Sequence, residues 1–388
     1  MMPFSELAKI GPPAPDEVEV TIFGPNFGEC IIVHFGSNRW FVIDSCSYPG
    51  IPGPAALHYF KQLGLDASSV VERVIVTHWH DDHCKGISEL VAACPNASIW
   101  IASALTSHEF IKFVQRLSKN KTAIAGHKAG EFSQILEELL KRKRAGLPTF
   151  GVASQNMLVH QVAGQQLAHG APFRLVALSP SHGDHLDFLI RIAAQMPSAG
   201  KQKGSLGSPS PNEISIASLV EIGDAVLLLG ADLENSKVSS GWGAVLRANS
   251  ATPFGAKAQV YKVPHHGSMT GHNPNVWQDM VESDPIAVLT PWRRGRGRLP
   301  STDGVKTITG LAQRAFATSD EGGTRPKKRH PSVQTFLRTN NIKVHSLQAE
   351  SGFVRLRKQQ GHEWAVELFG AACRLSELLR RRRSAKTS

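Results

Sequence analysis

The chain is short of several things, and each shortage removes a class of protein. Nowhere in its 388 residues is there a run near the ~20 apolar residues that a membrane span needs. The first twenty residues, MMPFSELAKIGPPAPDEVEV, lack the basic-then-apolar order of a secretory leader. Cysteine is scarce: five, odd in number and irregularly spaced, which argues against a disulfide framework and for small buried thiols. A cytoplasmic setting is the expectation. No repeat of fixed period is visible. With 41% hydrophobic and 19% charged residues, the composition is that of a globular protein and excludes a disordered chain.

Acidic residues are scarce in one place only. From Arg293 to Ser388 there are 21 Lys and Arg against 7 Asp and Glu, whereas the chain up to Trp292 carries 22 against 25. Three clusters make up the basic excess: RRGRGR from Arg293, RPKKRH from Arg325, and RLSELLRRRR from Arg374. Such clusters attract polyanions, nucleic acid above all, so nucleic acid or another polyanion is the expected partner.

Apolar strand-like runs alternate with helical spacing along the chain. EVEVTIFG, GECIIVHFG, RWFVIDS, VERVIVTH, ASIWIAS and FRLVALSPS read as strands, ISIASLVEIGDAVLLLGAD as a hairpin, and AQVYKVPHHGS, PIAVLTPW, IKVHSLQ and GFVRLR as further strands. GPAALHYFKQLGL, GISELVAACPN and most of Ser107–Arg144 read as helix. The expected organisation is a flexible segment over 1–16, one large α/β domain over 17–370 with a flexible insert near 197–212, and a basic tail over 371–388.

One stretch concentrates chemistry. VTHWHDDHCKG, Val76 to Gly86, follows a buried strand and sets His78, His80, Asp82 and His83 within six residues. Alternate residues of an extended segment point the same way, so His78 and His80 can share a metal ion, and Asp82 and His83, past the bend, can face a second. Asp44, His182, Asp232, His265 and His266 each stand where another apolar strand ends. Polar groups at the edge of a core are costly to bury unless paired, and a shared metal centre would pair them all. Trp79 reads as packing beneath this loop.

The order THWHDDH, GAD, HHGS resembles the metallo-β-lactamase-fold hydrolases, from about Glu17 to Trp292 and more weakly to Arg357. GPNFGECIIVHF, VIDS and KVPHHGS are most similar to the branch that includes the nuclease-like domain of the bacterial competence DNA-uptake channel. The resemblance implies a four-layer αββα sandwich and two divalent cations, zinc foremost with manganese as the alternative. It implies His78 and His80 on the first cation with His182 as candidate third ligand, Asp82 and His83 on the second, Asp232 bridging, and one of His265 and His266, His265 foremost, completing the second site. His266 is then left to meet substrate or donate a proton, and Asp44 orients a ligand histidine. Asp82, Asp232 and His266 are the catalytic candidates, and Asn212 lines the site. Where that branch tends to carry His-Pro in a loop, this chain has RRGRGRLPS, with Leu299 before Pro300. Its Arg293, Arg294, Arg296 and Arg298 are candidate phosphate contacts.

The function expected is a phosphodiesterase or nuclease on DNA or RNA, working through metal-activated water. The alternative is hydrolysis of a small carbonyl substrate such as a lactone or thioester, or of a cyclic nucleotide.

Overall fold

A computed structural model describes residues 11–119, 129–148, 150–195, 211–235, 239–251, 255–294, 297–320, 331–340 and 351–387. Strands that are apolar on both faces must be covered on both faces. The hairpin read from ISIASLVEIGDAVLLLGAD shows how this is done. In its second strand Ala225, Leu227 and Leu229 face one hydrophobic cluster while Val226 and Leu228 face another.

Among the described residues there are two eight-stranded sheets. The first runs β1 (Glu17–Gly24), β2 (Cys30–His34), β3 (Trp40–Ile43), β4 (Val71–Val76), β5 (Ser98–Ala102), β6 (Phe150–Ala153). On the other side of β1 it is extended by β16 (Gly352–Gln359) and β17 (Ala365–Phe369). The second runs β7 (Met157–Val162), β8 (Phe173–Ala177), β9 (Ser218–Ile222), β10 (Ala225–Leu229), β11 (Ala258–Lys262), β12 (Val281–Leu289), β15 (Arg314–Ala317), β18 (Cys373–Arg374). Between β12 and β15 lies a separate hairpin of β13 (Trp292–Arg294) and β14 (Gly297–Leu299).

The inner faces of both sheets share one core, closed on the first sheet's outer side by helices bearing Tyr59, Phe60, Leu90 and Val91. Phe35 and Phe173, one from each half, stack at 4.1 Å across this interior. The second sheet's outer face is covered by helices bearing Trp242, Val276, Ile308 and Leu378. The layers are therefore helix, sheet, sheet, helix, the αββα sandwich expected.

Each sheet joins an antiparallel meander to a parallel run: β3 to β6 in the first, β10, β11, β12 and β15 in the second. Parallel strands deliver all their carboxyl ends to one edge, where open α/β sheets place functional groups. Asp44 follows β3, His78 follows β4, Asp232 follows β10, His266 follows β11 and Thr290 follows β12. Five strand ends from two sheets thus meet along one seam.

Several expectations need amendment. Residues 371–388 are not simply a tail: Cys373–Arg374 forms β18, and Leu375 and Leu378 of the following helix are fully buried in the second core. The arginine loop after Trp292 is a hairpin with Arg293 opposite Arg298. The strand read in IKVHSLQ, residues 1–10, most of the 197–212 insert and the RPKKRH cluster lie outside the described residues. All five cysteines are free and buried. No helix among the described residues is long and apolar enough to cross a membrane.

Candidate metal centre

The run after β4 changes conformation within a few residues. His80 is still extended, and Asp81–Cys84 then makes a single helical turn. Extended backbone brings His78 and His80 together, their Nε2 and Nδ1 atoms 3.2 Å apart. The turn swings Asp82 and His83 toward the second sheet. There Asp232 and His266 meet them: His266 Nε2 is 3.2 Å from Asp82 Oδ2 and 3.4 Å from Asp232 Oδ2, and His83 Nε2 is 3.4 Å from Asp232 Oδ1. Asp232 Oδ2 also lies 3.9 Å from His78 Nε2. Two donor groups result, Asp82–His83–Asp232–His266 and His78–His80–Asp232, joined at Asp232, with the donor atoms of each group within 4.8 Å of one another.

The imidazoles are held in one tautomer from behind. His83 Nδ1 is 2.7 Å from the Asp44 carboxylate, and His266 Nδ1 is 2.8 Å from the Thr290 carbonyl. A carbonyl or carboxylate oxygen only accepts, so both rings donate from Nδ1 and turn Nε2 into the cluster. The Thr77 hydroxyl donates to Asp44 and stands 2.9 Å from His78 Nδ1, from which it accepts. His78 therefore also presents Nε2. Such outer contacts orient metal ligands and raise their basicity.

The site fits a cation on its own geometry. Donors arranged tetrahedrally at about 2.1 Å from zinc stand about 3.4 Å from each other, close to the separations here. His83 Nε2 and Asp232 Oδ1 are buried, face each other, and make no hydrogen bond. Electrostatics agree. Burial disfavours charge on His266, yet Asp232 and Asp82 outweigh it and push its pKa up to about 10. Burial likewise opposes ionisation of Asp82 and Asp232, and the facing histidines still hold both well below the usual carboxylate range. His78 moves the other way: burial, then the neighbouring His83 and His80, keep it neutral and able to ligate.

The backbone is strained at this seam. Asp44, Ala231, His265 and His266 all have positive φ, at 58°, 44°, 47° and 54°. Side-chain-bearing residues seldom adopt this region, and such strain concentrates at functional sites.

The structure corrects the reading of the histidine pair. His266 enters the cluster. His265 faces Glu234 (Nδ1 to Oε1, 3.0 Å) and Asn212 (Nε2 to Nδ2, 3.2 Å). Two successive left-handed residues turn the first ring away from the seam and the second into it. His266 has Nδ1 on the Thr290 carbonyl and Nε2 facing Asp82 and Asp232. Asn212 is buried beside the site and donates to Glu234 at 2.7 Å.

His182 is corrected as well. It is exposed at the start of the helix His182–Gln195 and belongs to neither donor group. The cause is a reciprocal cap. Ser181 Oγ accepts from Asp184 N–H, and Asp184 Oδ2 accepts from Ser181 N–H and Oγ–H. Trp79 packs edge-on against Phe110 at 5.3 Å. Arg293 is half-buried and Arg298 exposed. The side chain of Arg294 and the whole of Arg296 lie outside the described residues.

Thr77, Thr290, Glu29 and Lys262 are the residues sequence reasoning missed. The available signal was a lysine ending a largely buried strand in AQVYK.

Residues 23–154 match the family model of the metallo-beta-lactamase superfamily. No curated protein matches the chain. Among solved structures, the chain is similar to the metallo-beta-lactamase fold protein YhfI from Bacillus subtilis, at 14% identity and TM-score 0.39, covering 77% of this chain and 95% of that one. MEM-A1, a subclass B3 metallo-beta-lactamase from a soil metagenome library, is 13% identical with TM-score 0.33, covering 65% and 81%. CmlA, a diiron beta-hydroxylase from Streptomyces venezuelae, is 14% identical with TM-score 0.32, covering 69% and 40%. The two large sheets and their flanking helices are consistent with the metallo-β-lactamase fold. That fold and the donor groups at its seam point to a metal-dependent hydrolase.

Proposed function

We propose that the protein is a binuclear metal-dependent phosphodiesterase whose substrate is nucleic acid. The observation that carries this reading is where the arginine hairpin is rooted. Thr290, which holds His266, is two residues before β13. At the hairpin's other end Pro300 lies against the turn of His265–Gly267, close enough that a Cβ on Gly267 would meet it at 3.1 Å. Arg293 N–H donates to Asn26 O at 2.7 Å, and Phe27 lies 6.4 Å from Trp292. The same loop reaches the cluster through Glu29 N–H, which donates to Asp82 O at 2.8 Å. A second basic cluster reaches the hairpin's base, since Arg382 donates to Pro300 O at 2.8 Å.

In this reading His78, His80 and Asp232 hold one cation and Asp82, His83, Asp232 and His266 the other, zinc foremost with manganese as alternative. When bound, the cations supply Lewis acidity toward a phosphoryl oxygen and lower the pKa of water. Asp44, Thr77 and Thr290 keep the imidazole lone pairs aimed. Arg293 and Arg298 neutralise phosphate oxygens beside the reacting group and stabilise the charge that gathers on them. The likeness of GPNFGECIIVHF, VIDS and KVPHHGS to the branch that includes the nuclease-like domain of the competence channel supports the same substrate class.

The test is an activity assay of zinc- or manganese-loaded protein with single- and double-stranded DNA, RNA and a chromogenic phosphodiester, at low and high salt. Cleavage of a polynucleotide that weakens steeply with salt is the expected result. A loaded protein that cleaves no phosphodiester but opens a lactone or thioester overturns the reading.

A further inference from the structure

We propose that the buried pair Lys262–Glu29 is a positioning device that sets three mounts of the Asp82–His83–Asp232–His266 group at once. This rests on reading those side chains as cation ligands.

The pair spans the seam. Lys262 ends β11 in the second sheet and has no exposure, and Glu29 precedes β2 in the first sheet and is 1% exposed. Lys262 Nζ pairs with Glu29 Oε2 and donates to the carbonyl of Ala231 at 2.9 Å. Ala231 carries one of the strained φ angles and immediately precedes Asp232, so the ammonium pins the backbone that aims the shared carboxylate. Glu29 Oε2 also accepts from Thr290 Oγ at 2.6 Å, and Thr290 Oγ and O lie 3.2 and 2.8 Å from His266 Nδ1. Finally, Glu29 N–H holds the carbonyl of Asp82.

Stability does not account for such a pair. A buried ammonium and carboxylate lose so much hydration that well-packed apolar residues in their place are often as stable or more so. Here one carboxylate oxygen, Glu29 Oε1, is buried without a hydrogen bond, which an optimised structural pair would avoid. Glu29 also lies with Asp44 and His83 in a third buried group whose donor atoms are within 4.8 Å of one another. Glu29 therefore borders the ring of His83 as well as the mount of His266. An apolar residue at 262 could fill the space but could hold neither Ala231 nor Glu29.

The experiment is a Zn²⁺ and Co²⁺ titration of the full metal-free chain against a competing chelator. It is read as stoichiometry, two affinities and the Co²⁺ absorption spectrum, with the metal-free melting temperature alongside. The variants are Glu29→Gln, Lys262→Met, Thr290→Val and Thr290→Ser. We expect two cations in the wild type. In Glu29→Gln, Lys262→Met and Thr290→Val, one affinity should fall by about 10- to 100-fold with a changed Co²⁺ spectrum, the usual effect of removing an outer contact. The affinity of the His78–His80 group stays in Thr290→Val and Glu29→Gln and falls by a smaller factor in Lys262→Met, because Asp232 is shared, and Thr290→Ser restores the wild-type values. Should Lys262→Met fail to fold, the nearly isosteric Thr290→Val decides the matter. Two-cation binding with unchanged affinities in the variants, or both affinities falling in step with the melting temperature, overturns the positioning role alone. A wild type that takes up neither ion removes the ligand reading, and the device with it.

Discussion

Asp44 and His83 come from different strand ends and meet at 2.7 Å, carboxylate to Nδ1. The same carboxylate accepts from the N–H and hydroxyl of Thr77, at 2.8 and 2.7 Å. Through them it sets the ring of His83 directly and that of His78 at one remove. Asp44→Ala should therefore weaken Zn²⁺ binding at both donor groups, by about 10- to 100-fold. Competition with a chromogenic chelator measures it, and wild-type affinity in the variant would contradict the assignment.

Asp232 faces both donor groups and His265 faces neither. Asp232→Ala should lose cations from both, together with all metal-dependent activity, while His265→Ala should keep its metal. Elemental analysis after dialysis separates the two variants. Loss of a cation from His265→Ala would reverse the placement of the histidine pair, and full metal content in Asp232→Ala would contradict the shared carboxylate.

The arginine hairpin predicts a salt signature. Each phosphate contact contributes about 0.7–0.9 to the slope of log affinity against log salt. Arg293→Ala/Arg298→Ala should reduce that slope by about 1.4–1.8 for a nucleic-acid ligand, leaving cation binding intact. Fluorescence anisotropy across a salt series reads it directly, and an unchanged slope removes both side chains from the interface.

His34 predicts an acid limit on stability. Its Nδ1 donates to Glu17 O at 2.7 Å, and its Nε2 accepts from Asn38 N–H at 3.0 Å, so the pocket admits only the neutral ring. Burial, aided by His169 and Arg357, lowers its pKa to about 4. The unfolded chain takes up this proton near pH 6.5 and the folded chain only near 4. Stability is thus fully present above about 6.5 and declines between there and 4, by about 3 kcal/mol. Denaturant midpoints against pH, in the presence of a chelator, should show a flatter profile for His34→Gln.

Leu378 tests the last helix. It is fully buried in the second core. Leu378→Ala should cost about 2–5 kcal/mol, the usual range for a large-to-small change in a packed interior. A loss under 0.5 kcal/mol in chemical denaturation would make the helix a bystander after all.

How much of this could be read in advance follows from the range of the interactions involved. His78, His80, Asp82 and His83 lie in one local run, and Asp232 ends an unbroken apolar strand, so periodicity alone brings them to strand ends. The choice between His265 and His266 depends on two left-handed residues and on Thr290, a partner 24 positions away. Nothing in HHGS distinguishes the two rings. His182 was misplaced because SPSH looks like other ligand turns, whereas the Ser181–Asp184 cap makes it a helix start. The Lys262–Glu29 pair joins residues more than two hundred positions apart. The arginine run after Glu377 masks Leu375 and Leu378, whose apolar spacing belongs to a docked helix.

His266 and Asp82 are 184 positions apart and arrive from opposite sheets. A divalent ion gripped by both would act as a rivet through the sandwich, and its free concentration would tune how long the fold lasts. At a thousand times its dissociation constant, a ligand bound only by the folded state adds about 4 kcal/mol. Against the 5–15 kcal/mol typical of a whole domain, that is enough to make ion starvation register as shortened lifetime before any substrate is offered.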